Sequence, residues 1–180
     1  MYGLVNKAIE DLVCDRFGCE AWLKIKEKAN VKIDNFIGMD HYDDQITYDL
    51  VAAASESLGM CGRDILEAFG EYWILYTARE GYKEMLDLAG STFVTFLQNL
   101  DALHTHIGSL MPNLQPPSFS CSDVTENSLL LHYYSHRKGL APMVIGLLQG
   151  LGKRFSLEVV VTLTQSREQG ADHDIFSVTW

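Results

Sequence analysis

The 180-residue chain has a formal net charge of −10 and is 47% hydrophobic, enough apolar residue for one domain with a sizeable core. So acidic a chain is a poor match for nucleic acid or an anionic membrane, both of which reward clustered Lys and Arg. Its few basic residues do cluster locally, at Arg137 with Lys138 and at Lys153 with Arg154, which leaves a small anionic ligand open.

No apolar stretch reaches about 18 residues, and the start has no basic segment followed by an apolar one. Neither a membrane helix nor a signal peptide is expected, and the expected location is the cytoplasm. Cys14, Cys19, Cys61 and Cys121 form no CxxC or CxxCH pattern, which argues against covalent c-type haem and most zinc sites. They are expected to be free thiols, with nothing in the sequence to support a redox role for Cys121.

In chain order, apolar spacing predicts helices over 3–18, where Gly18 suits a C-cap, over 19–30, and over 43–59, which opens on capping aspartates. Helices over 62–78, 81–90 and 91–111 follow. Three prolines within 112–117 then forbid helix and favour an extended path. A strand over 129–139, a helix over 139–155, a strand over 156–167, a turn and a last strand over 175–180 complete the chain. The fold class is α+β: a helical N-terminal part, about 1–65, then 66–180 with further helices and a helix packed on a small antiparallel sheet.

Two patterns carry chemistry. At about 100° per residue, Phe93, Phe96, Leu97, Leu100, Leu103, Ile107 and Met111 fall on one side of the helix over 91–111, and His104 falls among them. His106 falls on the opposite flank, so the two histidines cannot chelate one ion from a regular helix. A single neutral imidazole on an apolar wall is either a core histidine bonded to a carbonyl or an axial ligand to a metal held mainly by something else, as in haem proteins. The second pattern is "LLLHYYSHRKG", 129–139. Read as a strand, it puts Leu129, Leu131, Tyr133, Ser135 and Arg137 on one face, running from apolar residues to donors and a fixed cation. That row is either an exposed polar strand end or a cradle for two carboxylates on one apolar plate.

"YYSHR" matches the Tyr-x-Ser-x-Arg signature of the haem nitric oxide/oxygen-binding (H-NOX) family, and "NLDALHTHIG" matches the segment around that family's proximal histidine. "MYGLVNKAIE", "TYDLVAAASESLG", "AFGEYW", "PPSF" and "GLLQGLG" also resemble family segments, in the family's order. The resemblance covers essentially the whole chain as a single domain. It is close to the haem domain of the β subunit of animal soluble guanylate cyclase and to stand-alone cyanobacterial members.

The resemblance implies a non-covalent b-type haem with His104 as proximal iron ligand and Tyr133, Ser135 and Arg137 on the propionates. Pro117 would press on the porphyrin and distort it. It also implies a distal pocket of Val5, Ile9, Trp73 and Met143, in which Met143 falls on or beside the position where oxygen-binding members carry a tyrosine. The implied function is a gas sensor, not an enzyme. It would bind nitric oxide and carbon monoxide on ferrous iron, exclude oxygen, and signal to a histidine kinase or nucleotide cyclase when nitric oxide weakens the iron–His104 bond. Two other readings stay open: a haem-dependent peroxidase or oxidase, which needs a distal His or Arg, and a haem-less interaction module of the same fold.

Overall fold

The computed structural model describes residues 1–77, 81–111 and 113–180. Ala78, the expected end of the fourth helix, and Pro112, the first residue of the proline-rich segment, lie outside the described residues.

Helices α1 (Gly3–Phe17) and α2 (Cys19–Lys28) are separated by Gly18, whose φ of 86° breaks the helical path. Helix α3 (Asp44–Leu58) starts where the Asp43 carboxylate accepts the Gln45 N–H at 2.8 Å, and ends at Gly59 in the left-handed region. Helices α4 (Gly62–Thr77) and α5 (Lys83–Ala89) follow. Helix α6 (Phe93–Leu110) opens on a reciprocal cap between Thr92 and Thr95. Strands β1 (Ser118–Ser122) and β2 (Ser128–Tyr134), helix α7 (Ala141–Arg154) and strands β3 (Val160–Gln165) and β4 (Asp174–Thr179) complete the chain. The sheet is antiparallel, in the order β1-β2-β4-β3.

Two apolar clusters form. Ile9, Leu12, Trp22, Ile25, Leu50 and Phe69 build one among α1–α4. Phe93, Phe96, Leu97, Leu129, Leu131, Leu148, Phe176 and Val178 build the other, where α6 and α7 pack on the sheet. Helix α4 joins them, giving Phe69 and Tyr72 to the first and Ile74 to the second. It lies close against α7 because glycines face the contact: a Cβ at Gly146 would stand 1.9 Å from the Glu67 carbonyl oxygen, and one at Gly70 would stand 2.1 Å from that of Met143. Among the described residues, no helix is long and apolar enough to cross a membrane.

The extended path after the prolines runs into β1, a strand that the sequence does not mark, because Ser118–Ser122 pairs with Leu130–Tyr134. Two expectations need correction. Strand β2 ends at Tyr134, so Ser135 and Arg137 stand on the loop after it rather than on a strand face. Cys14 and Cys19 are not free thiols. The turn at Gly18 brings their Cα atoms to 4.3 Å and they are joined as a disulfide, while Cys61 and Cys121 are free. Burial pushes the Cys121 thiol up, which makes it a poor thiolate.

Candidate cofactor site

A cavity of about 330 Å³ lies between the helical part and the sheet. Val5 and Ile9 of α1, Trp73 of α4, Leu100, Leu103, His104 and Ile107 of α6, Pro116 and Pro117, and Met143 of α7 all line it. Tyr133, Ser135 and Arg137 line it as well. The cavity lining therefore gathers the residues that the resemblance implies for the site, from stretches as far apart as α1 and α7.

The apolar stripe of α6 explains His104. Phe93, Phe96 and Leu97 are buried in the cluster with the sheet, and from Phe96 onward the same stripe lines the cavity. The His104 ring stacks on Phe119 of β1 at a centroid distance of 5.4 Å, and Phe119 packs on Tyr133 at 5.3 Å. The His104 Nδ1 is buried without a hydrogen-bond partner, which disposes of the carbonyl-bonded core histidine. Burial pushes its pKa down to about 4, against a smaller upward pull from Asp101, so the imidazole is neutral at pH 7 and offers a lone pair. His106 is exposed.

Asp101, one turn before His104, was not singled out in the sequence. Its carboxylate accepts from the Ser118 hydroxyl at 2.7 Å and the Phe119 N–H at 3.0 Å, which holds it below the usual carboxylate range and pins α6 to β1.

The loop after β2 is built around Arg137, whose N–H donates to Ser135 Oγ at 3.1 Å. Its guanidinium donates from Nε to Asp44 Oδ2 at 2.7 Å and from Nη1 to the Gln115 carbonyl at 2.7 Å. Arg137 is thus not an unpartnered cation. Asp44 was read as part of a capping pair, but Asp43 alone caps, and Asp44 faces Arg137 and the Met1 ammonium. Burial would raise the Asp44 carboxyl. Arg137 and Met1 outweigh it and hold it below the usual range. Only tertiary placement brings these groups together, so no sequence spacing points to Asp44.

The residues present fit a haem. The cavity is mostly apolar, one neutral imidazole with an unpartnered nitrogen stands on its wall, and a guanidinium with a buried tyrosine and a serine stands at one edge.

Residues 2–163 match the Haem-NO-binding family. The chain belongs to that family. As an H-NOX domain it is a haem-binding sensor module and not a catalyst. The curated relatives of this domain include soluble guanylate cyclase gcy-35 of Caenorhabditis elegans, 30% identical over 188 residues with 99% of this chain and 27% of that protein covered. Soluble guanylate cyclase gcy-32 of the same organism is 32% identical over 177 residues, covering 96% and 26%. The H-NOX domain thus spans about a quarter of the length of these relatives. Among solved structures, an H-NOX protein from S. oneidensis in the Fe(II)NO ligation state matches it with a TM-score of 0.89 at 22% identity, covering 99% of this chain and 98% of that one. An unliganded Fe(II) H-NOX mutant from K. algicida matches with a TM-score of 0.86 at 21% identity, covering 99% and 96%.

Proposed function

We propose that this domain holds a non-covalent b-type haem in the cavity, binds nitric oxide and carbon monoxide at ferrous iron, excludes oxygen, and passes the event to a partner protein. The observation that carries this is His104: a neutral imidazole, unpartnered at Nδ1, on the wall of an apolar cavity with Arg137 at its edge. Haem, when bound, supplies the iron that meets the gas. His104 would hold the iron, Tyr133, Ser135 and Arg137 the propionates, and Pro117 would constrain the ring. Within this reading the domain divides into a distal helical part, about 1–65, and a proximal part, 66–180.

Exclusion of oxygen follows from the donors. Bound oxygen carries negative charge and needs a hydrogen-bond donor in a dry pocket, whereas nitric oxide and carbon monoxide carry less. The cavity's Thr47 hydroxyl already donates to Asn6 Oδ1 at 2.8 Å, that of Tyr48 to the Lys138 carbonyl at 3.0 Å, and that of Thr77 to the Trp73 carbonyl at 2.8 Å. Val5, Ile9 and Met143 offer no donor. Trp73 keeps an indole N–H and Tyr82 a hydroxyl on the wall, so the ferrous protein's visible spectrum in air is the test. No oxy spectrum is expected. A stable oxy complex overturns the exclusion and directs attention to those two side chains.

Signalling follows from attachment. Movement of His104 is carried along α6, and the Asp101 contacts with Ser118 and Phe119 pass it to the sheet. A histidine kinase or a nucleotide cyclase is the proposed kind of partner, and the cytoplasm the proposed location.

A further inference from the structure

Strand pairing gives out where the edge of the cofactor site begins. Pairing of β2 with β4 stops at Tyr133, opposite Asp174, and pairing with β1 stops at Tyr134, opposite Ser118. Ser135 is the first residue beyond the strand, so no neighbouring strand supplies a donor to its carbonyl. A carbonyl that is shielded from water has to find its donor elsewhere. Ser135 is half-buried on the cavity wall, and its carbonyl accepts from Arg167 Nη1.

Arg167 stands behind that wall, at the start of the short 3-10 turn Arg167–Gln169 between β3 and β4. The turn is fixed by its own contacts. Ser166 Oγ accepts the Glu168 N–H at 3.2 Å, the Ala171 N–H donates to the Ser166 carbonyl at 3.3 Å, and Gly170 takes a φ of 98° that lets the chain double back. Asp174 is 7% exposed, and its Oδ1 accepts the Arg167 N–H at 2.7 Å. The backbone of Arg167 is therefore tied to the residue that faces Tyr133, while its side chain is tied to Ser135.

We propose that Arg167 is a positioning residue for the edge formed by Tyr133, Ser135 and Arg137. Its guanidinium takes the place of the strand that Ser135 lacks and sets where the loop after β2 stands. This rests on the function proposed above, in which that edge holds the haem propionates. An ionised donor makes a stronger bond to a carbonyl than a backbone N–H does, which suits a single contact that stands in for a ladder.

The effect reaches all three residues. Tyr133 is aligned by its place opposite Asp174. Ser135, held at its carbonyl, presents Oγ to the Arg137 N–H at 3.1 Å. Arg137 is thereby started on the path that takes its guanidinium to Asp44 and to the Gln115 carbonyl. No spacing in the sequence points to Arg167, which lies 32 residues from Ser135.

The test compares wild type with Arg167→Met, which keeps an unbranched apolar stem without donors, and with Arg167→Lys, which returns one charged donor. In the 180-residue protein as purified, hydrogen exchange reads the loop directly. The Arg137 amide, bonded to Ser135 Oγ, should exchange about tenfold faster in Arg167→Met, roughly the factor that one charge-assisted hydrogen bond is worth, and Arg167→Lys should restore part of the protection. The β2 amides paired with β4 should not change. Unchanged exchange at Arg137, or equal acceleration throughout the sheet, overturns the proposal. The second measurement is transfer of haem, and of haem dimethyl ester with both propionates capped, to apo-globin. Arg167→Met should speed transfer of haem about tenfold by the same reasoning and leave the diester at its wild-type rate. Equal acceleration of both means a general loosening of the fold and overturns the proposal. If Arg167→Met does not fold, Arg167→Gln replaces it in both measurements. A wild type that releases haem and the diester at one rate refutes the propionate edge of the function proposed above, and a protein that takes up no haem refutes that function altogether. In both cases the exchange at Arg137 still decides whether Arg167 positions the loop.

Discussion

Replacing Gly146 by alanine tests the contact between α4 and α7, which together form part of the cavity wall. The added methyl would lie 1.9 Å from the Glu67 carbonyl oxygen and 2.7 Å from its carbon, both backbone atoms that no rotamer change removes. Ordinary contact starts at about 3.4 Å, so α4 and α7 would have to part by about 1.5 Å along their closest line. Forced overpacking of this kind costs about 1–3 kcal/mol, and a backbone obstacle belongs at the upper end. Because α4 carries Trp73 and α7 carries Met143, the separation widens the cavity between them and should also speed carbon monoxide association. Urea unfolding measures the first effect as a lower midpoint with an unchanged slope, and flash photolysis measures the second. Gly62→Ala is the control. Nothing lies within 4 Å of its Cβ, and an open helical position should gain about 0.5–1 kcal/mol. Equal midpoints for Gly146→Ala and wild type would refute the claim that the glycines are there to let the helices touch.

Three further outcomes are expected. His104→Gly should lose the normal Soret band unless imidazole is supplied, whereas His106→Ala, on the exposed flank, should keep it; a normal band in His104→Gly without imidazole removes His104 from the iron. Arg137→Ala should hasten haem transfer to apo-globin by more than it lowers the unfolding midpoint, and an unchanged rate removes Arg137 from the propionates. Asp44→Asn breaks the pair with Arg137 and, since Asp44 is partly exposed, should cost about 1 kcal/mol near pH 7. The Asp44 carboxyl is held below its ordinary value of 3.8, so the pair's contribution is complete above that pH and is lost as pH falls through the lowered value. The difference between wild type and Asp44→Asn should therefore shrink below about pH 4 in acid unfolding curves, and a constant difference would refute the assignment.

Much of this protein was legible in local spacing. The stripe Phe93, Phe96, Leu97, Leu100 marked α6, and its mixed-in His104 marked the wall of the cavity, because a helix presents i, i+3 and i+4 on one side whatever it packs against. The glycines at 18 and 59 placed helix ends within a residue or so, because a helix end is satisfied by its own neighbours. β1 was not legible, since five residues after a proline pair become a strand only when Leu130–Tyr134 lies alongside. The pairing of Cys14 with Cys19 needed the turn at Gly18 to bring them together. The contacts that define the site's edge span the longest distances. Arg137 meets Asp44 across 93 residues, and Arg167 meets Ser135 across 32. Which carboxylate holds Arg137, and which arginine takes the Ser135 carbonyl, depends on how α3 and the turn between β3 and β4 fall against β2. Periodicity says which side of an element is apolar but not what stands opposite it, and charge pairing is decided by what stands opposite.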